Sequence, residues 1–282
     1  MSRVIVVVPC YNEAQRLNTR KLVEFVQHES DVDLLLVDDG SHDATLEILQ
    51  RLNAAYPDRF SFLHLPCNVG KAEAVRQGMQ LALESEPAYV GFWDADLATP
   101  LEEVIEFARV LDRRPEIDIA VGTRIQLLGH SIRRRLARHI LGRAFARLAA
   151  IVLATPLHDT QCGAKLFRVT PELLDAISAP YLTRWIFEVE LFARLQVFYR
   201  ADLGRQLCGA IYEYPLNSWM EMSGSKLRPL DMPHALLDMG RIWWKYCRPA
   251  AVPKLTRRPR RLAPAAPAKR AELVSSQQRK AA

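Results

Sequence analysis

Over the first 121 residues, short apolar runs alternate with longer amphipathic stretches, and each run stops at a polar loop. Val4-Ile5-Val6-Val7-Val8 ends at Pro9, and Leu34-Leu35-Leu36-Val37 ends at Asp38-Asp39-Gly40-Ser41. Phe60 to Leu65 leads into Asn68-Val69-Gly70-Lys71, and Ala88-Tyr89-Val90-Gly91-Phe92 into Trp93-Asp94-Ala95-Asp96. Runs with no polar alternate describe strands buried on both faces. Helices are predicted between them over 13–29, from Ser41 or Asp43 to 55, over 71–84 and over 101–113, with a further strand from Ile117 to Val121. This order predicts an α/β fold built on a mostly parallel, Rossmann-like sheet flanked by helices. Such sheets take ligands at the carboxyl ends of their strands. The loops 9–13, 38–41, 68–71 and 94–99 all fall on that edge.

Asp94 and Asp96 are the sharpest feature of the edge. Two carboxylates one residue apart suit a hard cation, Mg²⁺ or Mn²⁺, shared with substrate phosphates. A helix cap or solvated turn is the competing reading, since Asp is common at strand ends. The neighbouring polar loops favour the metal.

Composition narrows the classes. Of 282 residues, 49% are hydrophobic and 25% charged, as for a domain with a substantial core. The net charge of +6 sits in the tail: residues 249–282 hold nine of the 38 Lys/Arg and one of the 32 Asp/Glu, leaving the rest at −2. Nucleic acid is therefore not expected as a partner. The five cysteines are scattered without a CxxC pair and read as buried free thiols of a reducing cytosol. No signal peptide is expected, and no apolar run reaches the ~18 residues of a membrane span.

From Ile119 to His158 there is no acidic residue but seven arginines: Arg124, Arg133, Arg134, Arg135, Arg138, Arg143 and Arg147. A basic segment rich in apolar residues suits anionic headgroups or an anionic substrate better than a plain solvated helix. A second α/β stretch follows, then a helix over 234–246 ending in Trp243-Trp244-Lys245-Tyr246. That ending fits a membrane interface and a buried core equally. The Pro/Ala/Arg-rich tail is expected to be disordered. The expected organisation is an α/β domain over 1–232, divided into 1–123 and 124–232, a helix over 233–248 and a tail over 249–282.

Six stretches in order carry a resemblance: Val8-Pro9-Cys10-Tyr11-Asn12-Glu13, Val37-Asp38-Asp39-Gly40-Ser41, Asn68-Val69-Gly70-Lys71, Asp94-Ala95-Asp96, Gly122-Thr123-Arg124 and Asp159-Thr160-Gln161-Cys162-Gly163. Together they resemble the inverting family 2 glycosyltransferases of GT-A fold, in the branch of the polyprenyl (dolichyl) phosphate glucose and mannose synthases. The resemblance implies transfer of a hexose from a nucleoside diphosphate sugar to a polyprenyl phosphate, with a divalent cation on Asp94 and Asp96. It makes 1–232 the catalytic domain, with 1–123 its nucleotide-sugar half and 124–232 its acceptor half. It implies that Pro9, Tyr11, Glu13, Asp38 and Asp39 hold the base and ribose, and that Lys71 and Ala95 line the donor site. Arg124, with Arg133, Arg134, Arg135 and Lys226, would hold the acceptor's phosphate. Asp159 would orient that acceptor or steady the oxocarbenium-like centre, and the implied catalytic set is Asp96, Arg124 and Asp159.

Departures inform the substrate. Ala98 stands where the mannose branch commonly has Gln, which favours UDP-glucose over GDP-mannose. Ala72 and Glu188 replace a Gly and an Asp of the family pattern. The expected location is the cytoplasmic face of a membrane, attached peripherally. The rival readings are a transferase with a saccharide hydroxyl as acceptor, and a nucleotide-sugar-binding protein without turnover. A nucleotidyltransferase would carry a Gly-rich N-terminal phosphate loop, which Pro9-Cys10-Tyr11-Asn12-Glu13 does not supply.

Overall fold

The computed structural model describes residues 2–133, 136–201, 206–220 and 231–248. The first half runs β1 (Val4–Cys10), α1 (Thr19–His28), β2 (Val32–Asp38), α2 (Thr45–Ala55), β3 (Phe60–His64), α3 (Lys71–Leu83), β4 (Tyr89–Trp93), α4 (Glu103–Arg113) and β5 (Ile119–Thr123). The second runs β6 (Ser131–Arg133), α5 (Leu136–Leu153), β7 (Ala164–Arg168), α6 (Pro171–Ala176), α7 (Phe187–Ala201), α8 (Leu207–Ala210), β8 (Ile211–Pro215), β9 (Ser218–Met220) and α9 (Asp231–Ile242). A π-helical turn, Trp243–Cys247, follows α9.

Seven strands form one sheet in the order β3-β2-β1-β4-β7-β5-β8. Every pairing is parallel except those of β7, which runs antiparallel to both β4 and β5. The short strands β6 and β9 pair parallel in a small sheet of their own. The pleat divides the apolar strands between two layers. Ile5, Val7, Leu35, Val37, Val90 and Phe92 pack toward α3, α5 and α7. Val4, Val6, Val8, Leu34, Leu36 and Trp93 pack toward α1, α2 and α4. Burial on both faces is why these strands carry no polar alternate.

The helix expected over 13–29 begins only at Thr19. Before it, the amides of Arg16 and Leu17 turn back onto the carbonyl of Glu13, and Asn18 then caps α1 by accepting from the amide of Lys21 at 3.1 Å. Asn18→Ala should therefore destabilise the fold by about 1 kcal/mol in urea unfolding, without altering the slope.

Trp243 and Trp244, open between interface and core in the sequence, are exposed at 44% and 62%. Cys10, Cys162 and Cys247 are buried, but Cys67 and Cys208 are exposed, so burial of all five does not hold. Cys67 precedes the Asn68–Gly70 loop, and Cys208 lies in a single-turn helix too short to bury both faces. Among the described residues, no helix is long and apolar enough to cross a membrane. The tail from 249 lies outside the described residues.

Candidate active site

The loops singled out in the sequence meet at the carboxyl ends of β1, β2, β4 and β5. Asp94 leaves the end of β4 next to the turn that precedes β7, its amide donating to the Gly163 carbonyl at 3.0 Å. Its carboxylate lies against Gly163, where a Cβ atom would stand 1.8 Å from Oδ2. Lys71, the first residue of α3, places Nζ 2.7 Å from Asp94 Oδ1 and 3.6 Å from Glu188 Oε1. Burial works against the Lys71 charge, but Asp94 and then Glu188 outweigh it, so the ammonium holds its proton more tightly than a free lysine.

Behind this pair lies a dry charged layer. Lys165 is fully buried on β7, donating from Nζ to the Cys162 carbonyl at 2.5 Å and lying 5.3 Å from the Phe92 ring centroid. Burial lowers the Lys165 pKa, against the opposing charge of Glu188. Glu188 Oε2 is buried without a hydrogen-bond partner. Lys165 thus pins the turn on which Asp94 rests.

Asp96 accepts from the Ala98 amide at 3.1 Å. Burial, and then the charge of Asp94, raise its proton affinity; the Ala98 amide, Lys71 and Arg16 offset part of this. Ala95 between them is buried. Arg16 is held by both oxygens of Glu13, at 2.8 and 2.7 Å, so the Glu13 carboxylate is engaged within the protein. Pro9, near the end of β1, and Tyr11, in the loop that follows it, are partly exposed.

Asp38 and Asp39 are both buried. Asp38 accepts from the Ser41 amide at 3.2 Å and meets His64 Nδ1 at 2.7 Å. Asp39 accepts from the amides of Val69 at 2.7 Å and Gly70 at 3.0 Å, and from Asn68 Nδ2 at 3.1 Å. In this arrangement the two acids tie the 38–41 loop to β3 and to the Asn68–Gly70 loop. Gly70 itself is left-handed, with φ +96°, at the start of α3.

Arg124 leaves β5 and grips Asp159 with Nε at 2.6 Å from Oδ2 and Nη2 at 2.7 Å from Oδ1. Burial opposes the guanidinium charge, yet Asp159 holds it above its ordinary value. The Arg124 guanidinium lies 5.2 Å from the Trp219 ring centroid. Glu213 of β8, which the sequence does not single out, accepts from the amides of His158 at 2.7 Å and Asp159 at 3.2 Å, fixing the turn that presents Asp159. Arg16 and Arg184 are further cations of this edge that pattern reading misses, because no motif contains the first and a single exposed arginine carries no signal. Arg133 falls in β6 but its side chain, like all of Arg134, Arg135 and Lys226, lies outside the described residues.

A family model for glycosyl transferase family 2 matches residues 5–172. The dolichyl-phosphate beta-glucosyltransferase of Dictyostelium discoideum is 31% identical over 264 residues, covering 86% of this chain and 74% of that protein. The enzyme of the same name from Homo sapiens is 32% identical over 239 residues, covering 79% of this chain and 69% of its own. Among solved structures, glucosyl-3-phosphoglycerate synthase from Mycobacterium tuberculosis, in complex with Mn²⁺, UDP and glucosyl-3-phosphoglycerate, superposes with a TM-score of 0.54 at 21% identity, covering 85% of this chain and 76% of that one. Mannosyltransferase PcManGT from Pyrobaculum calidifontis, in complex with GDP-Man and Mn²⁺, superposes with a TM-score of 0.54 at 19% identity, covering 80% of this chain and 58% of that one. Those likenesses are of fold. With the six stretches brought to one edge of a GT-A sheet and the family match spanning more than half its length, the chain belongs to glycosyl transferase family 2.

Proposed function

We propose that this chain transfers glucose from a nucleoside diphosphate sugar, UDP-glucose ahead of GDP-mannose, to a polyprenyl phosphate, with inversion at the anomeric carbon. One arrangement carries the reading: Asp94, held between Lys71 and Gly163, shares a strand edge with the Arg124–Asp159 pair. The similar relatives named dolichyl-phosphate beta-glucosyltransferases point to the acceptor and the sugar.

Asp94 and Asp96 suit a hard cation. Asp96 is crowded by the charge of Asp94, a strain that a cation relieves. Among the described residues no third His, Cys, Asp or Glu completes a metal cluster, so phosphate oxygens and water would fill the other positions, as Mg²⁺ and Mn²⁺ allow. Bound there, a divalent cation would supply charge stabilisation for the departing nucleoside diphosphate.

The chain's own residues do the rest. Lys71 holds a second positive charge beside Asp94, at the amino end of α3, where a diphosphate is favoured. Arg124 gives Nε and Nη2 to Asp159 and keeps Nη1 for an acceptor phosphate. A phosphate monoester is already ionised at neutral pH, so its oxygen attacks the anomeric carbon without a base. The bond from that carbon to the diphosphate oxygen breaks, and its electron pair leaves with the nucleotide. Asp159, locked on Arg124, then orients the acceptor and faces the positive charge of the sugar centre.

Incubation with radiolabelled UDP-glucose, polyprenyl phosphate and Mn²⁺ should move label into an organic-extractable product, and GDP-mannose should do so less well. Label entering a free saccharide and no lipid would sink the reading. In thermal melts, UDP with Mn²⁺ should raise the midpoint of the unaltered protein, whereas Asp94→Ala should remove most of that rise.

The same reading requires the chain to meet its lipid at a membrane surface. Leu236 and Trp243 lie seven residues apart on one stripe of the C-terminal helix, exposed at 55% and 44%. Vesicles containing anionic lipid should retain the protein at low salt and release it at high salt. Equal flotation with a Leu236→Asp, Trp243→Asp double variant would remove this stripe from the attachment.

A further inference from the structure

Lys71 competes for the oxygens that a cation on Asp94 and Asp96 would need. Its Nζ lies 2.7 Å from Asp94 Oδ1, so an ammonium already sits on one of them. Two cations against one carboxylate repel each other. For a divalent ion to take Asp94, the ammonium has to turn elsewhere.

Of the two partners in this ion pair, Lys71 is the one with room to turn. The Asp94 amide is tied to the Gly163 carbonyl at 3.0 Å, and its carboxylate lies against Gly163. Lys71 opens α3, partly exposed, and carries its charge on a flexible four-carbon stem. The stem already leans toward the start of α7. Nζ lies 5.7 Å from the Phe187 ring centroid and 3.6 Å from Glu188 Oε1.

Glu188 has the capacity to receive it. Its side chain is buried, and Oε2 has no hydrogen-bond partner. A buried acceptor left unpaired costs free energy, which a donor would recover. The other lysine of this layer, Lys165, gives Nζ to the Cys162 carbonyl at 2.5 Å and acts on Glu188 through its charge. A shift of about 1 Å would carry the Lys71 ammonium from 3.6 Å to the length of a charge-assisted hydrogen bond.

We propose that Lys71 and the divalent cation exchange on Asp94, with Glu188 as the positioning residue that takes the displaced ammonium. With the cation in place, Lys71 turns from Asp94 to Glu188 and keeps its charge at the amino end of α3, beside the diphosphate. The proposal rests on the metal reading of Asp94 and Asp96 put forward above.

The experiment is a titration of the full chain with Mn²⁺ alone, the free ion being followed by electron paramagnetic resonance. It compares the unaltered protein with Lys71→Met, Glu188→Gln, their double variant, Glu188→Asp and Asp94→Ala, each checked for an unchanged melting midpoint in chelator. Lys71→Met removes the competitor and should tighten Mn²⁺ binding roughly tenfold, the size of one charged contact. Glu188→Gln denies the ammonium its second carboxylate and should weaken Mn²⁺ binding by a similar factor, while Glu188→Asp should restore most of it. The double variant should match Lys71→Met to within about twofold, because Glu188 acts only through the lysine.

An unchanged affinity in Lys71→Met overturns the exchange, whether or not Glu188→Gln folds. So does a double variant in which the Glu188→Gln loss persists in full, because Glu188 would then act on the ion through its own charge. Binding that survives Asp94→Ala at full strength overturns the metal reading itself. So does an unaltered protein that takes up no Mn²⁺ even when UDP is added.

Discussion

Replacing Gly163 by alanine is expected to leave the protein folded and to lower kcat/KM by roughly 100-fold, the effect of moving a reacting group by about 1 Å. The three atoms nearest the added Cβ all belong to the Asp94 carboxylate, the closest being Oδ2 at 1.8 Å. Gly163 is not among the residues with positive φ, so alanine is tolerated by the backbone there. Asp94 is 40% exposed and can swing away, so stability should change by less than about 1 kcal/mol. Turning away takes it from Lys71 and from the position that pairs it with Asp96. Circular dichroism melts and steady-state transfer rates separate the two effects. A Gly163→Ala protein with unimpaired transfer would remove Asp94 from the diphosphate end of the site.

Gly91→Ala should do the reverse, acting on the fold. Gly91 pairs with Leu166 in the middle of the antiparallel β4–β7 contact. A Cβ there would stand 2.2 Å from the Lys165 carbonyl oxygen and 3.1 Å from Leu166 Cα. The Leu166 Cδ1 methyl, at 2.9 Å, can shift, but these two are backbone atoms of a central strand and cannot give way cheaply. Overpacking of this kind costs about 3 kcal/mol, which for a chain of this size lowers the melting midpoint by roughly 5–10 °C. Differential scanning calorimetry measures it directly, and a midpoint unchanged within error would show that β4 and β7 can separate at no cost. Because Lys165 and the turn before it shift with β7, some activity should be lost as well.

The strand edge on which the polar loops gather was legible from residue order alone. Purely apolar runs such as Val4 to Val8 have one stable placement, buried on both faces, and that placement sends the polar loops after them to a common edge. Helix starts were less legible: the Glu13 carbonyl draws the chain into a turn before Asn18 caps α1, a choice made by local hydrogen bonds that periodicity does not register. The reversed direction of β7 was equally silent, since a buried strand has the same composition in either direction.

Sequence by itself determined the α/β layering, the six polar stretches and the family, because burial and motif spacing are properties of the chain's order. Only the tertiary structure decided which charges remain available. Asp38, Asp39 and Glu13, which read as donor contacts, are engaged by amides, His64 and Arg16. Arg184, which the sequence does not single out, comes to lie over Gly70 and donates to Asn68, because such contacts depend on distances between residues far apart in the chain. The same holds at Asp94-Ala95-Asp96: the acids are visible in the sequence, but the missing side chain of Gly163 that makes room for one of them comes from a turn nearly seventy residues later.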